Sequence, residues 1–221
     1  MRPTKLDLKK KRIREFFSTF KTKTKDKTDL DEVREQVFKE GMVYVQMRLP
    51  VNEITQEFED SLKERIEKNF IHAKIREASS DDLHIIMDLY NKSWLTTNTP
   101  FRPISVGSLE SIFEDADTVF LIARVYGIDA GFVILDFEGP NKEYGIIAGL
   151  GVIPRFQRRG LGTVLGMAAW NYFKENSVKE LRCEVYKDNL GSQSFIKWIG
   201  FKEYEKRVYR KKDFLLDEEV L

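Results

Sequence analysis

The chain has 221 residues, 37 Lys and Arg against 36 Asp and Glu, and a single cysteine. One cysteine excludes an internal disulfide framework and is typical of a reducing compartment. No apolar run approaches the roughly 20 residues of a membrane span, and the basic N-terminus lacks the apolar core of a secretion signal. We therefore expect a cytoplasmic protein with one domain and an addition, or with two small domains.

The near-zero net charge hides an uneven distribution along the chain. Residues 1–28 carry eleven Lys and Arg against three Asp and Glu. Apolar residues recur there at helical spacing, at Ile13, Phe16, Phe17 and Phe20. This segment is interpreted as a basic arm or amphipathic helix. It would either bind nucleic acid or an anionic surface, or pack its phenylalanine face on its own protein.

Residues 29–71 have the pattern of a helix, a strand and a second helix. The strand is indicated by alternating apolar residues over 43–49, and the second helix by apolar residues at every fourth position from Ile54 to Phe70. The prediction is a structured helix–strand–helix extension before the main domain.

From residue 72 onward, helical and strand patterns alternate. Strands are predicted at 73–78, 118–125, 130–137, 144–153 and 181–185. Helices are predicted from Ser79 or Ser80, over 106–115, directly after Gly160, and from a cap at Asn189 to a stop at Gly200.

Residues 157–162 have the sequence Gln-Arg-Arg-Gly-Leu-Gly and lie between a predicted strand and a predicted helix. Glycines at a helix start let the backbone approach a ligand, and the unpaired N–H groups and helix dipole favour an anion such as phosphate. The spacing fits neither the Gly-x-x-x-x-Gly-Lys-Ser/Thr loop nor the Gly-x-Gly-x-x-Gly fingerprint. It resembles the acetyl-CoA pyrophosphate loop of the Gcn5-related N-acetyltransferases, the GNAT superfamily.

A second block of residues supports this resemblance. Residues 189–192 (Asn-Leu-Gly-Ser), 195–196 (Phe-Ile) and 200–201 (Gly-Phe) are similar to the last characteristic block of that superfamily. The resemblance implies an α/β (α+β) GNAT fold over residues 72–221, with a mixed, mainly antiparallel central sheet flanked by helices. The 29–71 extension would then cap the sheet, form a dimer contact or shape the acceptor cleft.

The resemblance also implies how acetyl-CoA is held. A strand that splays from its neighbour would bind the pantetheine arm through its backbone and polarise the thioester carbonyl. The N–H groups of residues 158–163 would hold the pyrophosphate, and the two arginines would add charge unless they are only solvated. Asn189 and Ser192 would contact the arm or keep their helix near it, or act only as a cap and a packing residue. The predicted cofactor-binding residues are Leu150, Val152, Gln157, Arg158, Arg159, Gly160, Leu161, Gly162, Thr163, Asn189 and Ser192.

Transfer to an amine requires a base, because a lysine-like amine with a pKa of about 10.4 is protonated at neutral pH. Residues 146–150 offer no ionisable side chain, where several family members carry Glu or His. Glu184 matches the base of the ribosomal-protein N-terminal acetyltransferases and is the predicted catalytic residue, unless it is only a surface carboxylate. Glu143 and Glu138, expected near the cleft mouth, are the reserves. No metal is expected, since His72 and His84 lie apart from other ligands.

One position departs from the family pattern. Many relatives place a tyrosine twelve residues after the strand glutamate, to protonate the departing thiolate, and this chain has Ile196. A thiol pKa of about 8.5 lies ~1.5 units above neutral, so the missing acid costs on the order of 2 kcal/mol. Solvent or Tyr186 would then supply the proton.

Two functions remain open from the sequence. The first is an acetyl-CoA-dependent N-acetyltransferase acting on a protein or peptide N-terminus, a lysine or a small amine. The second is a catalytically weak acetyl-CoA-binding or nucleic-acid-associated module that uses the basic arm. By resemblance, residues 94–103 line the acceptor pocket, where Arg102 would hold an acceptor carboxylate or anchor the loop.

Overall fold

The computed structural model describes residues 40–68, 72–97, 103–210 and 213. The predicted basic arm, the first predicted helix of the extension and Arg102 lie outside these residues. The strands, in chain order, are β1 (Met42–Pro50), β2 (Ala73–Glu77), β3 (Thr118–Val125), β4 (Ile128–Glu138), β5 (Tyr144–Val152), β6 (Glu180–Tyr186) and β7 (Lys202–Tyr209). They form one sheet in the order β2-β3-β4-β5-β6-β1-β7. Neighbours are antiparallel except for β5 and β6, which are parallel.

Helices cover both faces of this sheet. They are α1 (Gln56–Lys68), α2 (Leu83–Trp94), α3 (Val106–Phe113), α4 (Leu161–Glu175) and α5 (Leu190–Trp198), with short 3₁₀ turns at Val51–Glu53, Ser80–Asp82 and Pro154–Phe156. None of the helices in the described part of the chain has both the length and the apolar run needed to cross a membrane.

The central strands are buried on both faces, which explains their continuous apolar runs. Successive side chains of a strand point to opposite faces. On β4, Phe132 and Ile134 therefore join the core beneath α2 and α3, while Val133 and Leu135 join the core beneath α4. The predicted fold class, a mixed and mainly antiparallel sheet with helices on both faces, is confirmed.

The last strand, β7, was not predicted from the sequence. Residues 202–208 are exposed to a substantial degree, and five of the first six carry a charge. A strand with that composition shows no alternation of apolar and polar residues. It occupies one edge of the sheet, where charged side chains disfavour pairing with another chain.

The 29–71 extension contributes a strand to the sheet itself. β1 lies between β6 and β7 and pairs with both. Two ion pairs tie the following residues to the rest of the protein: Glu59 of α1 with Lys174 of α4, and Glu53 with Lys202 of β7 at 2.6 Å. The proposed domain boundary at residue 72 stays a prediction, and the sheet runs across it.

Candidate active site

A cleft opens in the sheet where β5 and β6 separate. The two strands pair over three residues, from Tyr144 opposite Glu180 to Ile146 opposite Arg182. Beyond that point, residues 147–150 form one wall of the cleft and residues 183–186 form the other. The space between them, open mouth included, is about 680 Å³.

The backbone of β5 faces this cleft at alternate residues. Ile153 N–H donates to the Ala130 carbonyl of β4 at 2.9 Å. Because hydrogen-bonded and outward-facing residues alternate along an antiparallel strand, Leu150 and Val152 direct their backbone groups away from β4, towards β6. The Val152 carbonyl accepts a hydrogen bond from Gln157 Nε2 at 2.9 Å. These are the two positions that the sequence predicted for the pantetheine arm.

The loop that leads into α4 turns sharply at two residues. Arg158 has φ 59° and Gly160, the N-cap of α4, has φ 84°. A left-handed conformation at a residue other than glycine costs on the order of 1 kcal/mol and is concentrated at functional sites. The first N–H groups of an α-helix have no carbonyl of their own helix to bind, so those of α4 that follow this turn are available to a ligand. The Thr163 N–H is engaged by the Gly160 carbonyl at 3.0 Å, so it is less suited to a ligand than predicted.

Two predicted residues of this loop have contacts that brace it. Gln157 Nε2 also donates to Thr96 Oγ1 at 2.9 Å, so its side chain joins the loop to the end of β5 and the residues after α2. Gly162 lies against α5, where an added Cβ would meet Phe195 at 3.5 Å. Small residues on α4 thus allow α5 to pack closely beside the cleft.

Asn189 and Ser192 both line the cleft and are joined to each other. The Asn189 side chain accepts a hydrogen bond from Ser192 N–H at 3.1 Å and caps α5. This cap matches one of the two interpretations that the sequence left open. Contact of either residue with a cofactor stays a prediction.

Glu184 lies on the β6 wall with its side chain 13% exposed. Its Oε1 accepts a hydrogen bond from the Tyr209 hydroxyl at 2.8 Å and lies 4.0 Å from Arg207 Nη1. The ring of Tyr44, also at the cleft, meets those of Tyr186 and Tyr209 edge-on at 5.7 and 5.6 Å. The predicted base therefore sits among buried aromatic rings, and it is not a surface carboxylate.

Glu143 and Glu138 lie elsewhere. Glu143 precedes β5 at the end where β5 and β6 are paired, and Glu138 is opposite Tyr144 at that same end. The Glu143 carboxylate accepts a hydrogen bond from Asn141 N–H at 2.9 Å. Its own backbone N–H and that of Asn141 lower the pKa of the Glu143 carboxyl. The structure does not bring either residue to Glu184.

At the position where the family pattern has tyrosine, this chain places an apolar side chain in the cleft. Ile196 lines the cleft without any group that could donate a proton. Tyr186 lies on the β6 wall and is 5% exposed. Burial, followed by the charge of Asp188, raises the pKa of Tyr186 to about 12, so its hydroxyl remains protonated near neutral pH.

A comparison with known proteins identifies the family. The sequence model of the acetyltransferase (GNAT) family matches residues 83–201, which is more than half of the chain. The chain belongs to the GNAT acetyltransferase family. The predicted resemblance is thereby confirmed.

Relatives of this GNAT acetyltransferase match it at low identity. An uncharacterized N-acetyltransferase of Methanocaldococcus jannaschii is 27% identical over 138 residues, which are 59% of this chain and 61% of that relative. The PaiA N-acetyltransferase of Thermoplasma acidophilum, solved with coenzyme A, has a TM-score of 0.54 at 20% identity and covers 62% of this chain and 99% of its own. AAC(6')-Iy, solved with a bisubstrate analogue, has a TM-score of 0.52 at 20% identity over 62% and 96% of the two chains. The two structures establish the fold.

Three residues at or beside the cleft of this GNAT acetyltransferase lie outside the family match and were missed from the sequence. Tyr44 comes from β1 and Tyr209 from β7, on either side of residues 83–201. Gln46 of β1 lies directly opposite Glu184 and is 3% exposed. The alternation of apolar residues over 43–49 could have indicated two of these three residues, because Tyr44 and Gln46 lie on the opposite face of that strand.

Proposed function

We propose that this protein transfers the acetyl group of acetyl-CoA directly to a primary amine. The observation that carries the proposal is the gap between β5 and β6, which exposes the backbone of Leu150 and ends at the Gly160 turn. An extended pantetheine arm can pair with such a strand, while its pyrophosphate meets the start of α4. Solved relatives with coenzyme A and with a bisubstrate analogue support the same donor.

Residues of the β5 wall would hold the donor. The backbone of Leu150 and the Val152 N–H would bind the pantetheine arm, and the N–H groups of Gly160, Leu161 and Gly162 the pyrophosphate. Arg158 and Arg159 would add positive charge. Gln157 would act by bracing the loop, given its bonds to Val152 and Thr96.

Glu184 of the β6 wall would remove the proton from the acceptor amine. The amine attacks the thioester carbonyl, the C–S bond breaks, and the products are an N-acetyl amine and CoA. Among the described residues that line the cleft, Glu184 is the one with a formal charge. A negative group in a largely apolar cleft favours an amine as the acceptor, whether a peptide N-terminus, a lysine or a small molecule.

The departing thiolate would take its proton from Tyr186 or from solvent. Tyr186 supplies a buried hydroxyl on the cleft wall, and its raised pKa keeps it protonated throughout the neutral range. This assignment compensates for Ile196 at the usual tyrosine position.

The test measures free thiol released from acetyl-CoA with a panel of peptides, polyamines and amino acids. With an accepted substrate, Glu184→Gln should lower kcat by ~10²–10⁴ and flatten the rising acid limb of the pH profile, with acetyl-CoA affinity nearly unchanged. Glu180→Gln is the matched control, since Glu180 lies on the same strand and face but at the paired end of β5 and β6. Its rate should stay within a few-fold of wild type.

The same assay addresses the alternative function. The missing tyrosine at position 196 favours a module that binds acetyl-CoA with little turnover. Tight acetyl-CoA binding without CoA release for every acceptor would support that alternative. A Glu184→Gln variant with wild-type rate and pH profile would remove Glu184 from the mechanism.

A further inference from the structure

The Glu184 carboxylate is bound by a residue of the edge strand β7. The Tyr209 hydroxyl donates to Glu184 Oε1 at 2.8 Å, and Tyr209 is 6% exposed. At that burial, water competes weakly for the carboxylate oxygen. Tyr209 lies 25 residues after Glu184 and beyond the family match, so neither the motif nor the match points to this contact.

The surroundings of Tyr209 keep its phenol protonated, so the hydroxyl acts as a hydrogen-bond donor. Burial raises the pKa of the Tyr209 phenol well above its usual range, and the negative charge of Glu184 acts in the same direction. The phenol therefore keeps its proton at every pH at which an acetyltransferase would be assayed. Arg207, two residues earlier on the same face of β7, lies beside both groups.

Three neighbouring strands place ionisable groups on the face that carries Glu184. Side chains two residues apart on a strand share a face, and so do residues directly opposite on paired strands. The cleft residues contributed by β5 and α5 are uncharged. The ionisable groups are Glu180, Arg182 and Tyr186 on β6, Tyr44 and Arg48 on β1, and Lys202, Tyr204, Glu205, Arg207 and Tyr209 on β7.

We propose that Tyr209 is a positioning residue for Glu184, which orients the carboxylate at the cleft wall and stabilises its ionised form. This inference rests on the proposed function, in which the ionised Glu184 accepts the proton of the acceptor amine. The proton passes to the carboxylate, and the Tyr209 proton stays on its phenol oxygen. A hydrogen bond donated to a carboxylate favours the charged form, so its loss should raise the pH at which Glu184 gains a proton.

The decisive variant is Tyr209→Phe, which removes one oxygen atom and keeps the ring. Glu184 is titrated by carboxyl ¹³C NMR, its resonance assigned by its loss in Glu184→Gln. We expect the midpoint to rise by about one pH unit. Tyr204→Phe is the matched control, since Tyr204 is on the same strand, 42% exposed, and faces Arg48. Its Glu184 midpoint should not move.

Kinetics provide a second readout. In Tyr209→Phe, the acid limb of kcat/KM should move upward with the NMR midpoint, while acetyl-CoA affinity stays unchanged. On a Glu184→Gln background, Tyr209→Phe should cause no further loss of kcat, because it acts through the carboxylate. Additive losses in the double variant would overturn the proposal.

The titration of Glu184 does not require turnover. Failure of the proposed function and failure of the role of Tyr209 can therefore be distinguished. A shifted midpoint without CoA release would contradict the proposed function alone. CoA release with an unshifted midpoint would contradict the role of Tyr209 alone. If Tyr209→Phe fails to fold, 3-fluorotyrosine at position 209 keeps the shape and is a stronger donor. The midpoint should then fall, and an unchanged midpoint would again overturn the proposal.

Discussion

The two walls of the cleft are built by different means. The β5 wall and the loop after it present backbone groups, at Leu150, Val152 and the Gly160 turn. The β6 wall presents side chains, with Glu184 as its charged member and Tyr209 as its hydrogen-bond partner. One wall therefore depends on backbone conformation, and the other on the identity and packing of side chains from three strands.

This difference predicts how each wall responds to substitution. Binding by backbone groups tolerates many different side chains. It is lost where the new residue cannot adopt the required φ, or where its side chain blocks the close approach of the ligand. The function of a side-chain group is lost when a single donor or acceptor is removed, even if the fold stays intact. Variants on the β5 wall should mainly change acetyl-CoA affinity, and variants on the β6 wall should mainly change kcat and its pH dependence.

The largest effect on the backbone wall is expected for Gly160→Val. A β-branched residue at φ 84° is strongly disfavoured, at about 1–3 kcal/mol, and its side chain would obstruct the start of α4. We expect the Kd for acetyl-CoA, measured by calorimetry, to rise by about 100-fold.

Gly127→Val provides the matched control for that variant. Gly127 has a similar φ of 80°, and an added Cβ there meets no atom within 4 Å. It lies in the turn between β3 and β4 and does not line the cleft. The control should lose comparable stability but keep its acetyl-CoA affinity. Equal affinity losses in both variants would mean that backbone strain alone, and not a cofactor loop at Gly160, causes the effect.

A smaller effect is expected on the side-chain wall for Tyr186→Phe. If the Tyr186 phenol protonates the departing thiolate, its loss should lower kcat by about 10-fold and leave acetyl-CoA affinity and the acid limb unchanged. Since its pKa is raised to about 12, the phenol should not titrate in the assayed range. Steady-state rates from pH 6 to 10 test this.

Two further variants sharpen that result. Tyr172→Phe is the control, because Tyr172 packs on Phe137 away from the cleft, and its kcat should not change. Ile196→Tyr in the Tyr186→Phe background restores a phenol at the cleft and should recover part of the rate. A wild-type rate for Tyr186→Phe would assign protonation of the thiolate to solvent.

The smallest effect is a gain in stability for Gln46→Met. Gln46 is 3% exposed, and Nε2 has no hydrogen-bond partner within the described part of the chain. Replacing a buried amide without a partner by an apolar side chain of similar volume should raise the free energy of unfolding by about 1 kcal/mol. Urea denaturation measures this change.

Gln193→Met is the comparison for Gln46→Met. The Gln193 amide donates to the Lys187 carbonyl at 2.6 Å, so its replacement should lower the free energy of unfolding by about 1 kcal/mol. A loss of stability in Gln46→Met would show that the buried amide is satisfied, and Gln46 would then belong to the structural support of the β6 wall.

Much of the fold could be predicted because its signals are local. The predicted strand at 118–125 coincides with β3, and β4, β5 and β6 differ from their predictions by one or two residues at their ends. The turn at Gly160 and the cap at Asn189 were also predicted, since each depends on the conformation of a few consecutive residues. Their contacts with acetyl-CoA remain predictions.

The sequence by itself determined the periodicity of the strands, the glycine turn before α4 and the presence of a carboxylate on β6. Only the tertiary structure decided that β1 enters the sheet between β6 and β7, that Glu143 lies at the closed end of β5, and that Tyr209 binds Glu184. Periodicity specifies which face a side chain occupies. The neighbour of a strand and the partner of a buried carboxylate depend instead on packing between residues distant in sequence, which no short segment encodes.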